Sequence, residues 1–258
     1  MNHKKNIVLF VNDSYFSYLL SKQLIESYHE NISCIVFSKS TSSSLAKILN
    51  IYRKVPKNYF FYRVFVQILS KSLYRKKSVE FLADQYAIEK CTIKKSTDDI
   101  LINKLDNKSV AFAFNFDLIL KRTILTKFHS GIYNIHASKL PKDKGISPVL
   151  WAFARGDKNI WSTIYKMDAG IDSGPIAKQL QISIEKNDSA FSLYRRVCLE
   201  SGVALSNLVN KILEHKIVLM EQPKEVPENI FSWPDSQFST MLKTSNRKLI
   251  KIKDIIAP

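Results

Sequence analysis

The sequence predicts an α/β chain: an open, mainly parallel sheet with helices on both faces, followed by a short C-terminal extension. Three observations carry this expectation. Short continuous apolar runs recur, such as Ile7-Val-Leu-Phe-Val11, and they suit strands buried on both faces. Segments with apolar residues at helical spacing separate these runs, which gives the strand–helix–strand order of a parallel sheet. The 258 residues, 45% hydrophobic and 24% charged, have the composition of a folded domain rather than a disordered or fibrous chain.

Taken in order, residues 7–11 form the first strand, entered from the polar Asn6. Residues 14–28 follow as a helix, with Phe16, Leu19, Leu20 and Leu24 near helical spacing. Residues 32–38 are a second buried strand. Between 51 and 77 the chain is basic and aromatic together. Basic residues interleaved with aromatics can mean single-stranded nucleic acid. However, Phe61, Val64, Phe65, Ile68, Leu69 and Leu73 recur at helical spacing, so an amphipathic helix with a solvated basic face is the favoured reading. Residues 79–88 read as helix, 92–95 as a short strand, and Ser96-Thr-Asp-Asp as a helix start. Strands are expected at 109–114 and 131–135, a short helix at 121–128, another at 149–156, and further strands at 160–167 and 176–184. Asp188-Ser-Ala opens a long helix running to about Ile212. The 43 residues after His215 are too few for a second full domain, so 1–215 is expected to be the principal domain and 216–258 an extension. In that extension, Phe231-Ser-Trp-Pro reads as an aromatic plug on the core, the favoured reading, or as part of an acceptor pocket. Residues 247–253 read as an edge strand or a homodimer contact.

The formal net charge is +16. From Asn31 to Val79 there is no acid, while Lys39, Lys47, Arg53, Lys54, Lys57, Arg63, Lys71, Arg75, Lys76 and Lys77 fall there. Nucleic acid, an acidic membrane face or a phosphorylated substrate would each suit that charge. Cys34, Cys91 and Cys198 are scattered and read as reduced core residues, so neither a disulfide framework nor a zinc site is expected. No apolar run approaches the roughly 18 residues of a membrane span. The basic N-terminus lacks the long apolar stretch of a secretion signal, and a cytoplasmic protein is expected.

Five of the six glycines lie between Gly131 and Gly174, with Pro141, Pro148 and Pro175 in or beside the same window. Tight, specified loops are concentrated there, and open α/β sheets place their sites in loops at the carboxyl ends of strands. On the strand at 131–135, alternate residues share a face, so Asn134 and His136 project together. Asp172 sits in a glycine-flanked loop. An amide and an imidazole can stabilise a developing oxyanion, and a carboxylate can set the imidazole's charge and accept a proton. Taken singly, a histidine such as His136 is more often a hydrogen-bonded structural residue, and an aspartate such as Asp172 is usually a turn former.

Together they form a pattern. Asn134, His136, Ser138, Leu140 and Pro141 are followed by Gly145, Pro148, Trp151 and Ala152, then Gly156-Asp157. Thr163-Ile164, Met167-Asp168, Gly170-Ile171-Asp172 and Gly174-Pro175-Ile176 complete it. This resembles the formyltransferase family that uses 10-formyltetrahydrofolate, densely over 131–180 and, in the first 100 residues, as a Rossmann-like βαβ pattern. The resemblance implies a formyltransferase catalytic domain over 1–215 and a catalytic triad of Asn134, His136 and Asp172. It also implies a folate cleft lined by Leu118, Ile119 and Leu120 and by Met167, Asp168, Ala169 and Gly170, with no metal. In such a mechanism an amine attacks the formyl carbon. Asn134 and His136 stabilise the oxyanion, while Asp172 holds His136 and helps remove the amine proton. Three departures from the family pattern stand out: Lys139 for an apolar residue, Trp161 for a glycine, and an opening turn, Val11-Asn-Asp-Ser-Tyr-Phe16, without glycines.

Within the resemblance, methionyl-tRNA formyltransferases carry a C-terminal barrel that residues 216–258 cannot supply. Glycinamide ribonucleotide enzymes usually lack the stretch from Gly145. Enzymes that formylate a nucleotide-linked amino sugar, for surface polysaccharide of the O-antigen type, match best in length and motif style. The expected partner is therefore an anionic nucleotide sugar rather than a nucleic acid. A tRNA-formylating enzyme and a catalytically silent nucleic-acid-binding module are the alternatives.

Overall fold

The computed structural model describes residues 6–38, 51–95, 105, 108–224 and 229–256. Five strands run parallel: β1 (Ile7–Val11), β2 (Ile32–Ser38), β3 (Lys90–Ile93), β4 (Lys108–Phe114) and β5 (Phe128–His136). A three-residue strand, β6 (Asp143–Gly145), follows in the loop after β5. Strands β7 (Asn159–Lys166) and β8 (Ile176–Ser183) extend the main sheet antiparallel, and the spatial order is β3-β2-β1-β4-β5-β7-β8. The expected open, mainly parallel sheet is present. Strand β1 is buried on both faces: Ile7, Leu9 and Val11 enter one core, and Val8 and Phe10 enter the other.

Helix α1 (Tyr15–Tyr28) starts where Ser14 Oγ accepts the Ser17 N–H at 3.2 Å, satisfying a donor the helix itself leaves unpaired. Helices α2 (Lys57–Lys71) and α3 (Val79–Gln85) follow. The larger core forms mostly between these helices, the later helices and one face of the sheet. The opposite face is covered by Leu105, Leu120, Phe128 and the short helix α4 (Arg122–Leu125). Helix α5 (Pro148–Arg155) follows β6.

The structure departs from the sequence expectations in four places. Lys90 rather than Thr92 opens the third strand, which pairs with β2 from Ile35↔Lys90. The long helix from 188 to 212 is two helices, α6 (Ala190–Ser206) and α7 (Val209–Leu213), and its cap is Ser189, in a reciprocal box with Ser192. In α2 the buried residues are Tyr59, Tyr62 and Leu69, whereas Phe61 and Ile68 face outward. Residues 247–252 are not a strand. Lys248 and Leu249 accept backbone hydrogen bonds from Ala190 and Phe191, and Arg247 donates to the carbonyls of Phe153 and Asp157. The expected helix start at 96–99 lies outside the described residues.

The chain beyond residue 215 folds back onto this frame. Strand β9 (Asn229–Phe231) pairs parallel with β6, and helix α8 (Ser236–Thr244) packs on α5. Helix α9 (Lys253–Ile256) ends the described chain. Phe238 is fully buried against Trp151 and Tyr59, with ring centroids 5.5 and 6.1 Å away. No helix among the described residues is long and apolar enough to cross a membrane.

Phe238→Ala is expected to cost about 3–5 kcal/mol of global stability in a urea titration, as a buried aromatic does when it leaves a cavity. A separate transition for residues 216–258 would contradict this. Burial pushes the Tyr15 and Tyr133 hydroxyls up to about 12. The unfolded chain ionises its tyrosines near pH 10 and so binds fewer protons than the native state above that pH. Stability is therefore expected to fall between about pH 10 and 12, measurable as a declining Tm.

Candidate active site

Strand pairing brings the site together. In the antiparallel pair β5·β7, Asn134 lies opposite Tyr165 and His136 opposite Thr163, so four side chains share one face. Asn134 Nδ2 donates to Tyr165 Oη at 3.1 Å, and Asn134 Oδ1 accepts the Ile135 N–H at 2.8 Å. Tyr165 Oη passes its own hydrogen to Asp172 Oδ1 at 2.9 Å. Asp172 Oδ2 accepts the Gly145 N–H at 2.9 Å and stands 3.6 Å from His136 Nδ1. The structure thus gathers Asn134, His136 and Asp172, with Tyr165 as the bridge. Burial, reinforced by the adjacent Asp172 carboxylate, holds the Tyr165 hydroxyl well above the ordinary tyrosine range, so it remains a donor.

His136 is buried, and its Nε2 is 2.9 Å from the Asp143 carbonyl. A carbonyl only accepts, so Nε2 carries a hydrogen and Nδ1 is the nitrogen turned toward Asp172. Ser138 Oγ donates to the same carbonyl. The Asp143 carboxylate is held by Arg155, with Nη2 to Oδ2 at 3.0 Å, and by Asn229 Nδ2 to Oδ1 at 3.1 Å. Helix α5 and strand β9 therefore fix the loop that orients the imidazole.

Thr163 Oγ1 donates to the Ser138 carbonyl at 2.7 Å and accepts from the Leu140 N–H at 3.2 Å and from Gln179 Nε2 at 3.0 Å. Two of these three hydrogen bonds go to the 138–140 turn, and Gln179 Nε2 also donates to the Leu140 carbonyl at 3.0 Å. The two departures from the family pattern in this region meet each other: Lys139 Nζ lies 4.4 Å over the Trp161 ring.

Asp172 sits at φ +48°, in the left-handed region. Its loop is pinned from the C-terminal segment, where Gln222 Nε2 donates to the carbonyls of Asp172 at 2.9 Å and Gly174 at 2.8 Å. Gly145, at φ +90°, allows the close approach of β9: a Cβ there would stand 2.3 Å from the Phe231 carbonyl oxygen.

The residues expected to line a cofactor cleft fall on two loops. Leu118 and Met167 are half-buried against the smaller core, Leu120 is buried within it, and Ile119 is 85% exposed. Asp168, Ala169 and Gly170 are exposed at the turn after β7, with Asp168 Oδ1 accepting from Gly170 N–H and Ser173 Oγ. Met167 also packs against Leu140, Tyr165 and Ile176, which joins this loop to the buried network. No group of three or more potential metal ligands occurs among the described residues.

Sequence reasoning missed Tyr165, Asp143, Arg155 and Gln222. Tyr165 alone had a legible sign, since it shares a strand face with Thr163. A donor-bearing amide, an oriented imidazole and a carboxylate with each oxygen hydrogen-bonded once can together support acyl transfer to an amine. The chain belongs to the formyl transferase family, whose description it matches over residues 33–209.

A bifunctional polymyxin resistance protein ArnA from Wigglesworthia glossinidia brevipalpis is 37% identical over 108 residues, 42% of this chain and 16% of that protein. A methionyl-tRNA formyltransferase from Thermodesulfovibrio yellowstonii is 31% identical over 150 residues, 57% of this chain and 49% of that one. This chain thus spans half or less of the length of these relatives. Among solved structures, WlaRD, a sugar 3N-formyl transferase in the presence of dTDP and 5-N-formyl-THF, superimposes with a TM-score of 0.65 at 18% identity. The match covers 97% of this chain and 81% of that one. An N-formyltransferase from Helicobacter canadensis in complex with folinic acid and dTDP-3-aminofucose gives 0.63 at 16% identity, over 96% and 81%. At these identities the likeness establishes a shared fold.

Tyr165→Phe is expected to leave Asp172 Oδ1 and Asn134 Nδ2 unpaired. It should destabilise the protein by about 1–3 kcal/mol in thermal or urea unfolding. Unchanged stability would show that the bridge is not formed.

Proposed function

We propose that this chain transfers a formyl group from 10-formyltetrahydrofolate to the amine of a nucleotide-linked amino sugar. The observation that carries the reading is the linked network of Asn134, Tyr165, Asp172 and His136 at the carboxyl end of β5. The fold likeness to sugar N-formyltransferases, which extends over nearly the whole chain, supports the acceptor class.

In this reading Asn134 uses the Nδ2 hydrogen not given to Tyr165 as a donor to the formyl oxygen. His136, fixed through Nε2, adds to this stabilisation in the form that carries a hydrogen on Nδ1 as well, for which Asp172 is the counter-charge. Asp172 keeps the imidazole polarised and accepts the proton that the attacking amine loses. Tyr165 holds the amide and the carboxylate at one spacing, acting through them and not on the substrate. The backbone of 118–120 and the 167–170 turn would hold the pterin end of the donor. The exposed Ile119 and the half-buried Met167 offer the apolar contact that a flat heterocycle needs. The donor supplies the formyl group, and no metal is required. The same reading places the product among cytoplasmic precursors of surface polysaccharide.

A second reading rests on the sequence matches: the methionyl-tRNA formyltransferases are closer in identity, at 31% or more, than the solved sugar enzymes. The two acceptors are separated by an assay of tetrahydrofolate release. Purified chain and 10-formyltetrahydrofolate are mixed with UDP-, dTDP- and GDP-linked amino sugars and with charged initiator tRNA. Turnover on a sugar nucleotide alone is expected, and Asp172→Asn should lower kcat by about two orders of magnitude or more. Turnover on tRNA alone would replace the acceptor. Absence of folate binding would overturn the reading altogether.

A further inference from the structure

Helix α2 carries two apolar stripes where its fold needs one. Tyr59, Tyr62 and Leu69 are buried in the core, while Phe61 and Ile68, seven residues apart on one face, are 62% and 58% exposed. Leu73, just beyond the helix, is 61% exposed, and Ile252, from the far end of the chain, is 78% exposed. Tyr74 Oη donates to the Asp254 carbonyl at 3.4 Å, which sets the turn after α2 beside the start of α9. Between the two segments lies an open apolar groove of about 590 Å³, walled by Phe61, Phe65 and Ile68 and by Leu242, Leu249 and Ile250. Lys57, Lys71, Arg75, Lys76, Lys248 and Lys253 are exposed in the same two segments, and the stretch from 31 to 79 contains no acid.

We infer that this face docks on an anionic phospholipid surface. Phe61, Ile68 and Leu73 enter the boundary between headgroups and acyl chains, and the surrounding lysines and arginines face the headgroup phosphates. An amphipathic face with basic residues around exposed Phe, Ile and Leu has the composition of an interfacial element, and its charge complements an acidic leaflet. A second copy of the chain is a poorer occupant, because a self-complementary contact would set these basic rims against each other. Single-stranded nucleic acid fits less well too, since it needs exposed rings on which to stack bases. Tyr59, Tyr62 and Tyr74 are buried, and Trp233 lies under Arg63 at 4.7 Å. Of the exposed apolar side chains on this face, Phe61 offers a ring, whereas Ile68, Leu73 and Ile252 are aliphatic.

The test is sedimentation of the full chain with large vesicles, either phosphatidylcholine alone or phosphatidylcholine mixed with phosphatidylglycerol. Binding is expected to the anionic vesicles only, at about 0.1 M salt, with release at about 1 M, where screening is complete within a few ångströms. Phe61→Asp combined with Ile68→Asp should lower the bound fraction by about tenfold, with the circular dichroism spectrum unchanged. Lys71→Glu combined with Lys248→Glu should lower it comparably without touching the apolar stripe. No sedimentation with anionic vesicles at low salt, or binding by either variant equal to that of the unaltered chain, would overturn the inference. So would a patch-dependent dimer, or a patch-dependent complex with single-stranded RNA, in place of vesicle binding.

Discussion

The carboxylate of Asp172 is where the parts of this molecule meet. One oxygen takes the Tyr165 hydroxyl from β7, and the other takes the Gly145 amide from β6 and faces His136 of β5. A half-buried carboxylate with two committed acceptors is held in orientation as well as in place, because moving it breaks charge-assisted bonds that water cannot fully replace inside the fold. Everything around it serves that position. Thr163 locks the 138–140 turn, Arg155 and Asn229 hold Asp143, and Asp143 in turn holds the imidazole.

Much of this support comes from outside the α/β sheet. Residues 220–231 contribute an antiparallel bridge from Met220 to Ile176, the Gln222 amide, and strand β9. Phe231 stacks on Trp151 with centroids 5.1 Å apart, and Arg155 lies over the Phe231 ring at 5.4 Å. The aromatic contact and the ion pair to Asp143 therefore share one arginine. The short tail contributes geometry to the site itself, in addition to the apolar surface that Phe238 buries.

The strands were legible because a strand buried on both faces leaves a continuous apolar run, and β1, β2 and β4 have such runs. Asn134 and His136 were legible because alternation along a strand is independent of the fold around it. Tyr165 carried only its alternation with Thr163 as a sign; its role follows from which strand lies beside β5, and no local pattern encodes neighbour order. The stripe read on helix α2 is inward only in part: Leu69 is buried and Phe65 packs on the core, but Phe61 and Ile68 face outward, because two stripes on one helix leave the choice to tertiary packing. Gln222 and Asn229 are single polar residues among prolines and charges, with no period to mark them. The pairing of Lys139 with Trp161 was equally out of reach. Each residue stood out as a departure, but only the turn held by Thr163 brings them together.

The hydrogen bond between Asn229 and Asp143 spans 86 positions of sequence, and the Gln222 contacts span about 50. Ribosomes make chains from the N-terminus at about 5–20 residues per second. The sheet from β1 to β8 is therefore complete in sequence several seconds before the residues that steady Asp172 leave the exit tunnel. At that point Asp172 has its Tyr165 and Gly145 partners in the chain already made, but not the Gln222 contacts to its loop. A chain that stops before residue 220 carries the sheet, Tyr165 and Gly145, but lacks the Gln222 and Asn229 contacts that hold the loops of Asp172 and Asp143.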